Sequence, residues 1–293
     1  MHLRESAIHK KSYMRFRKKD PKLKKFYTEN GFAIITDLLE SSNFSGLKED
    51  MNYIFESAFK EHKIPNDSKW PEDDEWTGGL PHKALQKLHS SHKSSFGNCW
   101  DAIRLILDLQ QFSNIPEIID ILKNIGISLP SLEVYPAIRI DMPFDDSRNV
   151  SWHQEWRYSF GSLNSATLWI PMSNLSAKEG TLKVIPKSHL LGLIKIKPAD
   201  TIIFYEIDFP ELDESKAFTV EMNYGEILLF SNFLLHSSSK NKSNLCRYTI
   251  QIRFNDLSCP YFKKNGWPRA FLINTKKNLI SQEKDFSEVR FTI

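Results

Sequence analysis

The sequence predicts an α+β fold in which helices of the first half buttress one large sheet system in the second. Three observations carry this. Up to about residue 125 the apolar residues recur at helical spacing, as in Leu47, Met51, Ile54, Phe55 and Phe59. From about residue 130 the period shortens to two, as in Arg247 to Phe254. No Pro/Gly-rich linker parts the two halves, so residues 1–293 read as one domain.

In chain order, Pro21 to Asn30 reads as a short helix closed by Gly31, and Phe32 to Ile35 as a brief strand. Ser42 to Lys63 reads as a long helix with Ser42 or Asn43 as N-cap. Residues 64–80 are polar and loop-like. Leu80 to His92, Trp100 to Phe112 and Pro116 to Ile125 read as further helices, the last closed by Gly126. His82, His89 and His92 fall on the first of these and invite a metal reading, but 82 and 89 are seven apart with Lys interspersed, so surface or pocket-rim histidines are expected. Strands are expected over Leu132 to Met142, Thr167 to Pro171, Leu182 to Ile185, Phe218 to Met222, Glu226 to Phe230 and Arg247 to Phe254.

Hydrophobic residues make up 41% of the chain and charged residues 26%, the balance of a globular protein with a sizeable core. Aromatics at 12% favour a strand-rich core or a lined pocket. Cys99, Cys246 and Cys259 are odd in number and form no CxxC, which argues against a disulfide framework or structural zinc. No apolar run reaches the roughly 18 residues of a membrane span, and no apolar signal region opens the chain. The expected location is cytoplasmic. A net charge of +3 is too small to imply nucleic acid. The excess is local: residues 1–25 carry ten Lys/Arg against Glu5 and Asp20, a solvated basic leader that could also attract an anionic partner.

The chemistry centres on Val150 to Trp156. Read as a strand, this stretch projects His153 and Glu155 to one face. They are two corners of a 2-His-1-carboxylate triad, the arrangement that suits non-haem Fe(II) with open positions. His236, leaving an apolar strand for a Ser-rich turn, sits where a distal ligand would, or simply caps that turn. On Arg247 to Phe254 the polar face holds Arg247, Thr249, Gln251 and Arg253. That face meets water in an ordinary sheet but lines the lumen of a small barrel, where a guanidinium can grip a carboxylate bidentately. Thr167 and Trp169 share a face, as do Arg139 and Asp141.

Taken together these pieces resemble the phytanoyl-CoA dioxygenase family of Fe(II)/2-oxoglutarate oxygenases. They stand in family order: Trp152-His153-Gln154-Glu155, then Ala166 to Pro171, then Gly180 to His189, then Gly225 to His236, then Arg247-Tyr248-Thr249. Two positions depart from the family pattern: Glu155 stands for the usual Asp, and Lys187 for the usual Gly. The resemblance implies a double-stranded β-helix, a cupin-like jelly roll, over residues 129–256. Around it would lie the basic leader 1–25, mainly helical support over 26–128 and a C-terminal extension over 257–293.

The resemblance also implies roles. His153, Glu155 and His236 would hold Fe(II), and 2-oxoglutarate and O2 would take the open positions. Arg247 would pair with the distal carboxylate of 2-oxoglutarate, Thr249 and Thr167 would add hydrogen bonds, and Trp169 would wall the pocket. Arg139, Gln154, Trp156, Arg157 and Tyr158 are the expected substrate wall, unless Arg157 pairs with an acid such as Asp146. His189 is expected to be structural. No general acid or base is expected, because the metal does the hard step. The implied activity is hydroxylation of a small polar or anionic metabolite. Desaturation, cyclisation or epimerisation with the same cofactors, or an idle jelly-roll binding module, stay open. Halogenation is disfavoured because Glu155 fills the coordination site a halide would need. No oligomeric state is legible.

Overall fold

The computed structural model describes residues 14–66, 81–197 and 206–268. Most of the basic leader, part of the 64–80 loop and the end of the C-terminal extension therefore lie outside the described residues.

Helix α1 (Leu23–Asn30) stops at Gly31, whose φ of 81° lets its N–H reach Tyr27 O. A Cβ at Gly31 would also run into the His189 ring beneath it. Strand β2 (Phe32–Thr36) follows and pairs in parallel with β1 (Arg15–Arg17). Helix α2 (Ser42–Glu61) places Phe44, Leu47, Met51, Phe55 and Phe59 on one buried face. Its N-cap is Ser41, without a side-chain cap, and Asn43 instead accepts from the Glu40 amide.

The next two helices, α3 (Lys83–Ser91) and α4 (Lys93–Ile103), meet at His92. The helix expected over Trp100 to Phe112 is broken after Ile103, and a short α5 (Leu107–Gln111) resumes it. One face cannot hold four neighbouring apolar residues. Ile103 and Ile106 are buried, whereas Leu105 and Leu107 are exposed. Helix α6 (Pro116–Asn124) carries Pro116 in its first turn, where no backbone donor is lost.

Strands β3 (Pro130–Leu132), β4 (Ala137–Asp141), β5 (Ala166–Pro171), β8 (Ile227–Ser231) and β10 (Arg247–Asp256) join β1 and β2 in one sheet, ordered β1-β2-β8-β5-β10-β3, with β4 also on β10. The strand expected over Leu132 to Met142 is thus two, with Pro136 in the gap between them. A smaller sheet, β7-β6-β9, is built from β6 (Leu182–Val184), β7 (Phe218–Thr219) and β9 (His236–Ser238).

The large sheet has two apolar faces. Ala33, Ile35, Leu168, Ile170, Ile227, Leu229, Ile250 and Ile252 pack outward in one core with the helices. Phe32, Ile34, Trp169, Leu228 and Phe230 pack inward against Leu182, Val184, Val220 and Met222. Two facing antiparallel sheets with helices on one outer side are the double-stranded β-helix. The helical core is the stabilising layer; truncating Phe55, which is fully buried, to Ala would cost roughly 3–5 kcal/mol. The lumen between the sheets is where the chemistry collects.

Candidate active site

His153 and His236 come from distant parts of the chain but are neighbours across an antiparallel bridge. Each donates its backbone N–H to the other's carbonyl, at 3.0 and 3.1 Å. Side chains opposite each other in such a pair point to the same face, and the two imidazole centroids lie 4.1 Å apart.

Glu155 arrives differently from the strand reading. Its backbone is helical (φ −58°, ψ −33°), and the chain turns there into the short α7 (Trp156–Ser159). The carboxylate still reaches the same point: Oε1 is 3.6 Å from His153 Nε2 and 3.4 Å from His236 Nε2. One ligand atom from each of the three residues lies within 4.8 Å of the others, and all three residues are buried.

The protonation pattern suits a cation. His153 Nδ1 is 2.7 Å from Ser151 O and His236 Nδ1 is 3.0 Å from Leu234 O. A carbonyl can only accept, so each Nδ1 carries a hydrogen and each Nε2 is the nitrogen turned toward the common point. Burial, reinforced by the neighbouring His236, holds His153 below the ordinary imidazole range and hence neutral. Burial alone would raise Glu155. The Arg253 guanidinium, whose Nε donates to Glu155 Oε2 at 2.8 Å, and the two imidazoles outweigh it and hold the carboxyl well below its usual range. Two imidazole Nε2 atoms and one carboxylate oxygen are the donor set a divalent metal takes.

The three residues open onto a cavity of about 480 Å3. Of the residues read from the sequence, Thr167, Trp169, Arg139 and Tyr158 line it. Thr167 donates to Asn232 Oδ1 at 2.7 Å, and Tyr158 lies edge-on to His153. Thr249 is fully buried, and its hydroxyl has no hydrogen-bond partner among the described residues.

Arg247 lies elsewhere. Its Nη2 and Nε donate to Asp141 Oδ2 at 2.8 and 3.2 Å, and it lines a separate cavity of about 610 Å3. Asp141 is shared with Arg139, whose Nε donates to both of its oxygens at 2.8 and 2.9 Å.

Three expected substrate residues are not brought to the cavity. Gln154 donates to Gly192 O and Phe233 O and accepts from the Ile194 amide. Trp156 is fully buried in an aromatic cluster with Phe160 and Phe233. Arg157 donates to Ile194 O rather than to Asp146, which pairs with Lys240. The expectation rested on nearness in sequence to the ligands, and the turn at Glu155 into a short helix carries these side chains away from the cavity. His189 is fully buried with Nε2 on Thr28 O at 3.0 Å, a packing role. Lys187 adopts the left-handed conformation (φ 68°) that the family's glycine would favour, so the loop keeps its turn.

Strand parity put Gln251 and Arg253 on the lumen face of β10 without giving them a role, and both line the cavity. Sequence reading did not single out Arg148, Trp100, Arg104 or Ser238, which also line it. Trp100 and Arg104 on the α4 side, and Arg148 in the loop before His153, carry no comparable signal.

Comparison with known proteins matches this picture. The phytanoyl-CoA dioxygenase (PhyH) family model matches residues 134–248, a span that includes His153, Glu155, His236 and Arg247. Peroxisomal phytanoyl-CoA dioxygenase of Bos taurus is 22% identical over 285 residues, covering 91% of this chain and 77% of that protein. The human enzyme is 22% identical, covering 83% and 70%. Among solved structures, the epimerase SnoN in complex with Fe3+, alpha ketoglutarate and a nogalamycin compound is similar in fold, with a TM-score of 0.56 at 14% identity over 90% of this chain and 91% of that one. The non-heme monooxygenase ThoJ superposes with a TM-score of 0.53 at 14% identity, covering 79% and 76%. With its ordered motifs, its jelly roll and its buried His-Glu-His group, the chain is similar over residues 134–248 to the phytanoyl-CoA dioxygenase family.

Proposed function

We propose that the chain is an Fe(II)/2-oxoglutarate-dependent dioxygenase that hydroxylates a small polar or anionic molecule. The observation that carries the reading is the convergence of two imidazole Nε2 atoms and a carboxylate oxygen on one buried point. His153, Glu155 and His236 would hold iron. Iron in such a site, with 2-oxoglutarate and O2, couples decarboxylation of the co-substrate to succinate and CO2 to oxidation of the substrate.

The chain's own residues do the rest. The Nδ1 hydrogen bonds fix both imidazoles, and Arg253 orients the carboxylate from behind. Thr249 supplies a buried hydroxyl in want of a partner, and Thr167 and Trp169 face the cavity, which supports their assignment to 2-oxoglutarate. Arg247 is the proposed anchor of the distal carboxylate. In that role it would exchange or share Asp141 for the incoming anion. Arg139 and Tyr158 are the proposed substrate contacts.

We place the protein in the cytoplasm, a reading supported by three unpaired, buried cysteines. No helix among the described residues is long and apolar enough to cross a membrane. Since two relatives named above are peroxisomal by name, fractionation of the tagged protein decides between the compartments.

The functional test is a metabolite screen under Fe(II), 2-oxoglutarate and O2, reading substrate-dependent succinate release and product mass. Hydroxylation adds one oxygen; epimerisation leaves the mass unchanged, and desaturation or ring closure removes two hydrogens. No succinate release above the substrate-free rate for any compound would leave the idle binding module as the better reading.

A further inference from the structure

The lining of the metal-side cavity is rich in arginine. Arg104, Arg139, Arg148 and Arg253 all line it, and Glu155 is the acid in that lining. Two of the four are already neutralised: Arg253 by Glu155, and Arg139 by Asp141. Among the described residues Arg104 pairs with Asp101, 3.6 Å away and largely exposed, a pairing that solvent weakens.

Arg148 is the least satisfied. Its guanidinium lies 4.0 Å from the Trp100 ring centre and 5.8 Å from that of Phe96. Burial disfavours its charge; Asp141 and, less strongly, Asp145 favour it, and the neighbouring Arg139 opposes it. One terminal nitrogen, Nη1, is buried with no hydrogen-bond partner among the described residues. A buried donor left unpaired is costly and is normally matched by a ligand or by water.

The platform is rigid. Trp100 donates its indole N–H to Ile138 O at 2.5 Å, and Arg104 sits 5.3 Å from the same ring. Arg139 donates to the backbone carbonyl of Arg148 and so ties the loop to β4. Trp100 and Arg148 come from a helix and a loop outside the two sheets, the kind of positions on which specificity is carried while the scaffold stays fixed.

We infer that Arg148 and Arg104, held on the Trp100 indole, form a subsite for an anionic group (a carboxylate or phosphate) of the substrate. The inference rests on the oxygenase reading for the identity of its ligand as substrate, but the subsite itself needs no metal. Ile138, Val150 and Tyr158 beside it provide a mostly apolar wall for the body of the molecule.

The test uses the metal-free full-length protein and ligand-observed NMR. Benzoate and phenyl phosphate serve as probes, with benzamide and benzyl alcohol as neutral counterparts. The anionic probes should bind at least roughly tenfold tighter than the neutral ones, as expected for a charge-assisted contact. Arg148→Gln should erase the preference and Arg148→Lys should keep part of it. Equal or undetectable binding of anionic and neutral probes, or an undiminished preference in Arg148→Gln, overturns the proposal. Repeating the titration with Mn(II) and saturating 2-oxoglutarate identifies the anion's source. Retained probe binding supports a substrate subsite, whereas competitive loss assigns the arginines to the co-substrate and overturns it. A protein that binds neither Mn(II) nor 2-oxoglutarate yet keeps the anion preference would refute the oxygenase reading alone.

Discussion

Glu155 and Asp141 are both buried carboxylates facing the lumen, and both are braced by arginine, yet they are spent differently. Asp141 uses both oxygens on arginine nitrogens, accepting from Arg139 and Arg247. Glu155 gives one oxygen to Arg253 and leaves the other between two imidazole nitrogens. The first is a counter-ion whose acceptor capacity is saturated. The second is a ligand held at the ready. The difference shows that charge pairing in a lumen does not by itself mark a reactive centre; the unspent oxygen beside two imidazole nitrogens does.

Removing each acid is the sharpest way to probe this contrast. Glu155→Ala and Asp141→Ala should each lose roughly 3–5 kcal/mol, because each strands buried guanidinium charge. Only Glu155→Ala, like His236→Ala, should abolish Fe(II) binding, read by equilibrium dialysis with metal analysis alongside urea unfolding. Loss of metal from Asp141→Ala as well would erase the distinction. The next effect concerns Arg247. Arg247→Ala should raise the 2-oxoglutarate requirement at least roughly tenfold with a smaller change in the substrate requirement, the cost of a charge-assisted contact. Steady-state kinetics varying each substrate separately checks it, and an unchanged 2-oxoglutarate requirement would leave Arg247 as Asp141's structural partner only.

The saturated end should also respond to acid. His82 beside it accepts the Cys246 N–H at Nδ1, and burial pushes its pKa down to about 3. The unfolded chain takes up a proton below about 6.5 while the folded chain does not until far lower, so stability falls as pH drops through that window. The loss between pH 6.5 and 5 should be about 2 kcal/mol. It should shrink in His82→Asn, whose Oδ1 can accept the same N–H; unfolding curves against pH decide. The smallest expected change is at Thr249, on β10 between Arg247 and Gln251. Thr249→Val should stabilise the metal-free protein by about 1 kcal/mol by removing an orphaned buried hydroxyl, yet raise the 2-oxoglutarate requirement. A stability gain without that kinetic cost would remove Thr249 from the co-substrate site.

Much of this was legible before the fold was seen, for identifiable reasons. The period-two runs gave the faces of β5 and β10, because strand parity is a property of sequence alone. His236 was legible through its place at the end of an apolar strand. Gln154, Trp156 and Arg157 were misplaced because they were chosen for their nearness in sequence to the ligands, whereas at Glu155 the chain turns into a helix that no Gly or Pro announces. Trp100 and Arg148 escaped notice because they meet only through the packing of α4 against the loop before His153. Such encounters have no local signature.

The reciprocal backbone bonds between His153 and His236 have a kinetic consequence. Bringing together two ligands so distant along the chain is ordinarily an entropic barrier that a metal ion must help to overcome. Here the β-bridge has closed that loop already. The ion therefore meets a formed half-site, and its arrival and departure are matters of ligand exchange rather than of folding. Metal should come and go on the timescale of small-molecule substitution, and a stripped protein should reload without passing through an unfolded state.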